Sequence, residues 1–485
     1  MSAATVHVYP NHPLGVISRH VYGHFAEHLG RCIDEGLWVG EDSAIPNDGG
    51  LRLDTLQALR AIQAPLVRWP GGCFADAYDW RDGIGPRAER PRRINVWWNK
   101  EEDNQFGTDE FLRWCGLVGA EPYICANVGS GTPREMMQWL EYVNYAGTTT
   151  LAQQRAANGH PEPHGVKYWG IGNENWGCGG AYDPADYAKE YRRYATYLRR
   201  LDPAIEFIAC GFHHDWNLKF LESVGQLGLV NHLSLHHYYS SGPAVGFSEA
   251  QYYELFPKAL LLEGMIERDS ELLSFFERGL GRIKLAIDEW GVWHPEADRE
   301  LSQPNTLRDA VCAAMVMDVF NRHCRVISMT NIAQTVNVLQ CLIQTAGERM
   351  WLTPTYHVYD LYRPHMDATA VVTEVDSFGI TTARDGRPFA LESVSASAST
   401  KGDDLLVTVS NLHYREGQEI TVVLEGVDKL RGAQMRLLSG DQADAVNSPD
   451  APDAVSPRPA KLNRRGNRLT CVLPPHSVAA LECQR

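Results

Sequence analysis

Short apolar runs bounded by turn residues recur through most of the chain, and many of the gaps between them carry apolar positions at helical spacing. Eight runs read as strands: VYGHF (21–25), PLVRW (65–69), PYICA (122–126), VKYWG (166–170), IEFIA (205–209), HLSLH (232–236), IKLAI (283–287) and VISMT (326–330). Leu53, Leu56, Leu59 and Ile62 mark a helix that ends just before the second run. Thr132-Pro133-Arg134-Glu135 has capping-box spacing with proline at the first helical position, and opens a helix carrying Met136, Leu140 and Val143. Asp183-Pro184 starts another, whose Tyr187, Tyr191, Tyr194 and Leu198 form one stripe suited to core packing, and a further apolar helix fits 309–324.

Eight strands alternating with helices predict a (β/α)8 TIM barrel, because parallel neighbours need a crossover and a helix is the usual one. After about residue 367 the pattern changes to alternating strands without long helices, in LLVTVSNLH, EITVVLEGV, QMRLLSG and RLTCVLPPHSVAALEC, which predicts an antiparallel β-sandwich. TVHVY near the amino terminus alternates in the same way and is expected to pair into the sandwich sheet. The expected division is therefore an N-terminal strand (1–15), a catalytic barrel (16–367) and a C-terminal sandwich (368–485). The stretch 439–467, rich in Asp, Ala, Pro and Ser, is expected to be a long mobile loop.

Composition narrows the function classes. With 485 residues, 44% hydrophobic and 22% charged, the chain is globular, not disordered or coiled-coil. Its net charge of −15 argues against nucleic acid and anionic membranes as partners. Eleven Cys, an odd number with no C-x-x-C pair, suit a reducing compartment. The opening residues lack a basic segment followed by an apolar one, and no run approaches about 18 uninterrupted apolar residues, so the expected location is cytoplasmic.

Barrel enzymes place their chemistry where strands end in polar residues. VKYWGIGNENWGCGG puts Asn173 and Glu174 at the end of the fourth strand, and IKLAIDEWGVW puts Glu289 at the end of the seventh beside Trp290 and Trp293. Two carboxylates facing each other across a barrel mouth are what hydrolysis of an acetal requires, one giving a proton and one attacking. The donor must hold its proton near neutral pH, and the nucleophile must stay ionised beside donors such as Tyr or Arg. Glu27, in HFAEH, would sit at the end of the first strand and could accept hydrogen bonds from sugar hydroxyls. In His236-His237-Tyr238-Tyr239, ending the sixth strand, one side chain should enter the mouth and its neighbour the wall; Tyr238 could hydrogen-bond the nucleophile. His20, His24 and His28 recur every four residues, but the segment reads as a strand entering a loop and no metal is expected. Gly170-Ile171-Gly172 lacks the third glycine of a dinucleotide fingerprint, position 175 being Asn.

RWPGG and DWRDGIGPR from Arg68, RAANGHPEPHGVKYWGIGNENWGCGG from Arg155, SLHHYY from Ser234 and AIDEWGVW from Ala286 resemble the retaining α-L-arabinofuranosidases of glycoside hydrolase family 51. The resemblance implies that Glu174 is the acid/base, Glu289 the nucleophile and Asn173 the partner of the sugar's 2-hydroxyl. It implies that Glu27 and Arg68 line the glycone pocket, that Tyr238 supports Glu289, and that Trp98 and Trp293 wall the site. It also implies a homo-oligomer, a hexamer, with no metal or cofactor. Three positions depart from many members of the family. Cys73 stands in the glycone site where Asn follows P-G-G, Gly291 replaces an Asn, and a sugar-contacting Gln after the eighth strand falls on Thr353. Cys73 and Cys178 could approach each other near the mouth, two inert thiols being the expected state.

The expected activity is removal of terminal arabinofuranosyl groups from arabinoxylan or arabinan oligosaccharides by double displacement. The alternatives are the same mechanism on another sugar (an endo-β-1,4-glucanase, or a β-xylosidase or xylanase), a carbohydrate-binding protein without turnover, and a metallohydrolase.

Overall fold

A computed structural model describes residues 2–485. All eight expected runs form strands of one closed parallel barrel: Gly23–Phe25, Leu66–Trp69, Glu121–Ala126, Tyr168–Ile171, Glu206–Ala209, His232–Tyr239, Lys284–Val292 and Ile327–Ala333, here called strands one to eight. Strand eight closes on strand one through Asn331 opposite Gly23. The interior is packed by Leu66, Tyr123, Tyr168, Ile208, Ala286 and Met329, one from each of six strands.

The helices obey the local signals. Pro133–Asn144 begins where Thr132 Oγ1 accepts from the Glu135 amide at 3.3 Å and donates to the Glu135 carboxylate at 2.8 Å. Pro184–Leu201 begins at Asp183, whose carboxylate accepts from two backbone amides, and its Tyr187, Tyr191, Tyr194 and Leu198 are all buried. Leu307–Arg322 is buried along almost its whole length, because it is wedged between barrel and sandwich.

Nine C-terminal strands and the N-terminal strand form one ten-stranded sheet that curls around a common apolar filling, including Val8, Val407, Val422, Leu469 and Leu481. The N-terminal strand, Ser2–Val16, joins this sheet, antiparallel to Thr369–Asp376 but parallel to Gln418–Leu424. That one parallel pairing departs from the all-antiparallel expectation. A strand contributed from the far end of the chain needs no hairpin to its neighbour, so its direction is free.

The stretch 439–467 is not the mobile loop its composition suggested. The amides of Leu307 and Arg308 donate to Ala445 O and Ala443 O at 2.9 and 2.8 Å, and Asn447 Nδ2 donates to Leu352 O at 2.9 Å. Ala443, Asn447 and Val455 are buried. The segment caps the amino end of a buried helix and satisfies its otherwise unpaired amides.

Candidate active site

Strand seven carries an irregularity that shapes the barrel mouth. Its neighbours pair Ser234 with Ala286 and His236 with Glu289 on one side, and Thr330 with Ile287 and Ile332 with Trp290 on the other, so strand seven holds one more residue than either partner. Such a bulge breaks the in-out alternation. Asp288 and Glu289 consequently both reach the groups inside the barrel.

Arg68, from strand two, lies beneath them. Its Nη1 donates to Glu289 Oε1 at 2.8 Å and to the Asp288 carbonyl at 3.0 Å, and Nη2 donates to Asn173 Oδ1. Arg68 is 1% exposed and reaches the site through these bonds to Glu289 and Asn173. Tyr238 OH donates to the other oxygen of Glu289 at 2.7 Å, and Trp293 meets the Tyr238 ring edge-on at 5.3 Å with 40% of its surface open.

His236, a role the sequence reading missed, joins the two halves of the site. Its Nδ1 donates to Glu174 Oε1 at 2.8 Å and lies 3.5 Å from Glu289 Oε2, while Nε2 faces Asp288 Oδ1 at 3.3 Å. Burial favours the neutral ring, but Glu289, Asp288 and Glu174 outweigh it and raise the pKa to about 10, so the ring is an imidazolium. Burial opposes ionisation of Asp288, yet Arg68, His236 and Ser234 hold its carboxyl well below the usual range, and Tyr123 OH donates to it at 2.8 Å. One carboxylate oxygen of Glu174, one of Glu289 and a ring nitrogen of His236 lie within 4.8 Å of one another. The two carboxylates differ in setting, since the Glu174 side chain is 20% exposed and that of Glu289 is 7% exposed.

Glu174 has φ +44°, in the left-handed region that L-residues avoid, within a turn pinned by Asp76. Asp76 accepts from the amides of Val128, Gly129 and Asn173 at 2.6 to 2.7 Å, binding the loops after strands two, three and four together. Burial raises its pKa to about 7 in spite of those bonds. Cys73 and Cys178 form a disulfide between the strand-two and strand-four loops, and Cys178 Sγ lies 3.7 Å from Glu174 Oε2. This overturns the expectation of two inert thiols; the other nine cysteines are free and buried.

Glu27 accepts from Phe74 N at 3.1 Å and Trp98 Nε1 at 3.4 Å on one oxygen, and from Gln334 Nε2 at 3.1 Å on the other. Burial and the charge of Glu289 raise its pKa to about 7. Of the two adjacent tryptophans Trp98 turns inward, and Trp97 is exposed. Gly72 is required by close approach, since a Cβ there would stand 2.8 Å from Glu289 Oε1.

Gln334, directly after strand eight, reaches Glu27, whereas the sequence reading looked to Thr353 for a residue in this place. Thr353 instead caps the helix Pro354–Tyr362 and donates to Cys341 O at 2.8 Å, away from the site. The signal was available, because Gln334 follows the apolar run 326–333 immediately. Gly291 has φ +142°, and a Cβ there would press on Gln340 Oε1 at 3.2 Å, so the bulged strand excludes a larger residue. His24 is buried in the wall beside Tyr359, His28 bonds Glu102 at 3.3 Å, and no three-residue cluster of metal-binding side chains among the described residues includes them.

Paired carboxylates at the ends of strands four and seven of a TIM barrel, set over an arginine and a tyrosine, define a glycoside hydrolase. Two α-L-arabinofuranosidase family models match, the α-L-arabinofuranosidase 1 domain over residues 58–255 and the α-L-arabinofuranosidase C-terminal domain over 288–477. An intracellular exo-α-L-arabinofuranosidase of Bacteroides ovatus is 40% identical, over 99% of this chain and 96% of its own. Among solved structures, the family 51 arabinofuranosidase of Xanthomonas axonopodis pv. citri has a TM-score of 0.94 at 36% identity. The α-L-arabinofuranosidase of Thermotoga maritima, in an arabinose complex, has 0.92 at 34%; both cover the whole of each chain. The chain belongs to the α-L-arabinofuranosidases of glycoside hydrolase family 51.

Proposed function

We propose that the protein is an exo-acting, retaining α-L-arabinofuranosidase in which Glu289 is the nucleophile and Glu174 the acid/base, releasing terminal arabinofuranosyl groups from arabinoxylan or arabinan oligosaccharides. The observation that carries this is the approach of the two carboxylates to within 4.8 Å. Retaining glycosidases hold the pair about 5 to 5.5 Å apart, whereas inverting ones leave about 6.5 to 9.5 Å for a water.

In the first step a Glu289 oxygen attacks the anomeric carbon, the bond to the leaving oxygen breaks, and that oxygen takes the proton of Glu174. In the second, Glu174 takes a proton from water, the water oxygen bonds to the anomeric carbon, and the ester to Glu289 breaks, restoring both groups with net retention. Arg68 and Tyr238 hold Glu289 in place, each donating to a different oxygen. The His236 imidazolium stabilises the negative charge that resides on one carboxylate in each half-reaction. Glu27 and Asn173 bind glycone hydroxyls. Gln334 joins them, because its Oε1 is buried with no partner among the described residues and can accept from a sugar hydroxyl. Trp98 and Trp293 wall the pocket, and the Cys73–Cys178 disulfide forms the edge between Asn173 and Glu174.

The test is covalent trapping. With Glu174→Ala and an activated aryl α-L-arabinofuranoside, the enzyme should gain the mass of one anhydropentose on the peptide containing Glu289; modification elsewhere, or none with turnover intact, would overturn the assignment. The named intracellular relative supports a cytoplasmic location, and large exposed side chains at Leu227, Phe275 and Leu280 support a homo-oligomer, to be measured by light scattering.

A further inference from the structure

We propose that Asp76 is the positioning residue of the acid/base: its carboxylate holds the chain on both sides of Glu174 and so aims that side chain toward Glu289. The inference rests on the reading of Glu174 as the acid/base. Asp76 lies in the loop after strand two and is 3% exposed, so its bonds are made away from water.

Its two oxygens face two different loops. Oδ1 accepts from the amides of Val128 at 2.6 Å and Gly129 at 2.7 Å, in the loop after strand three. Oδ2 accepts from the amide of Asn173 at 2.7 Å and from Nδ2 of Asn175 at 3.4 Å, the residues immediately before and after Glu174. The chain is built closely around this carboxylate. A Cβ at Gly129 would stand 2.9 Å from Asp76 Cβ, and one at Gly179 would stand 2.5 Å from Oδ2.

Glu174 needs such a hold. At φ +44° its backbone occupies a costly conformation, which persists only where the surroundings over-determine it. Every group bonded to the Asp76 side chain is an N–H donor, so only a carboxylate, accepting at both oxygens, satisfies all four. An amide of the same shape has one accepting oxygen and sets an NH2 against the remaining N–H groups. That oxygen would stay with Val128 and Gly129, where both bonds are short, and the NH2 would face the turn that carries Glu174. A carboxylate that served packing alone would affect every substrate alike. One that acts through Glu174 matters most where the leaving oxygen needs its proton.

The experiment measures kcat/KM on phenyl and 4-nitrophenyl α-L-arabinofuranosides for wild type, Asp76→Asn, Glu174→Ala and the double variant. 4-Nitrophenolate departs with little protonic help, whereas phenolate needs more. Asp76→Asn should lose about tenfold on the phenyl glycoside and no more than about twofold on the 4-nitrophenyl one. In the Glu174→Ala background its loss on the phenyl glycoside should shrink below about twofold, because the group it positions is gone. Equal losses on both substrates, or an undiminished loss in the Glu174→Ala background, would overturn the proposal and leave Asp76 a brace for packing. If Asp76→Asn does not fold, Asp76→Ser, which keeps an acceptor and introduces no N–H, decides by the same ratio. If Glu174→Ala by itself shows no preference for the better leaving group, the reading of Glu174 falls and this inference with it, an outcome seen without touching Asp76.

Discussion

The barrel mouth and the seam between barrel and sandwich each bury carboxylates, yet they solve the problem in opposite ways. At the seam, Asp318 is fully buried, with no cation within bonding distance among the described residues. It receives hydroxyls instead, from Ser395 at 2.6 Å, Ser397 at 2.7 Å, Tyr362 at 2.9 Å and Thr408 at 3.3 Å. Burial wins there, and its pKa rises to about 6. At the mouth, Glu289 and Asp288 lie against the Arg68 guanidinium and the His236 imidazolium, and the neighbouring Glu174 side chain is 20% exposed. Burial alone therefore does not mark a site. Carboxylates paired with buried cations beside a partly exposed third carboxylate do, because that arrangement is costly to fold and stabilises little.

Substitutions can break or sharpen this contrast. The largest effect is expected from Glu289→Ala, which should lower kcat on an aryl α-L-arabinofuranoside by about 10⁴-fold or more. Added azide should restore turnover and give an azide product of inverted configuration, read by NMR. Glu174→Ala should cost about 10² to 10⁴-fold on an oligosaccharide and less on substrates with good leaving groups, with azide giving the retained product. Exchange of the two stereochemical outcomes would reverse the assignment.

A smaller effect attends Glu27. Its folded pKa of about 7 means that the carboxylate able to accept sugar hydroxyls grows in as pH rises through neutrality, so kcat/KM should climb over that range. Glu27→Gln should remove that limb of the profile and cost about tenfold at pH 8, the worth of one charge-assisted hydrogen bond. Titration of unreduced, denatured protein should count nine free thiols, the other two being held in the disulfide.

The smallest effect on activity belongs to the seam. The folded pKa of Asp318, about 6, lies above its ordinary value of 3.8, so between those values the native state keeps a proton that the unfolded chain has lost. Stability from this group is therefore fully present below 3.8 and declines as pH rises toward 6. Asp318→Asn should abolish that decline in urea titrations while kcat/KM stays within about twofold. Asp318→Leu, which strands several hydroxyls, should cost about 1 to 3 kcal/mol. A large loss of activity in well-folded Asp318→Asn would erase the distinction between the two regions.

Much of the fold was legible because its signals are local. Each barrel strand is a short apolar run between turn residues, and Thr132 and Asp183 announce their helices within three residues. Glu174 and Glu289 could be picked out because polar residues at strand ends have few structural excuses. His236 was missed because a run of four aromatic and imidazole side chains does not reveal which one faces inward. Asp288 was missed because strict alternation would turn it away from Glu289's side, and only the bulge brings both inward. The loop 439–467 looked mobile because nothing in its composition says which helix it will cap.

The order of apolar and polar residues thus determined the eight-stranded barrel, the appended sheet and the two strand ends bearing the carboxylates, since strand and helix formation respond to neighbours a few residues away. Tertiary structure alone decided that Arg68 bonds both Glu289 and Asn173, that Gln334 reaches Glu27 while Thr353 caps a helix, and that two cysteines 105 residues apart are joined. Those outcomes depend on which side chains closure of the barrel brings within a few ångströms, a quantity that no local periodicity encodes.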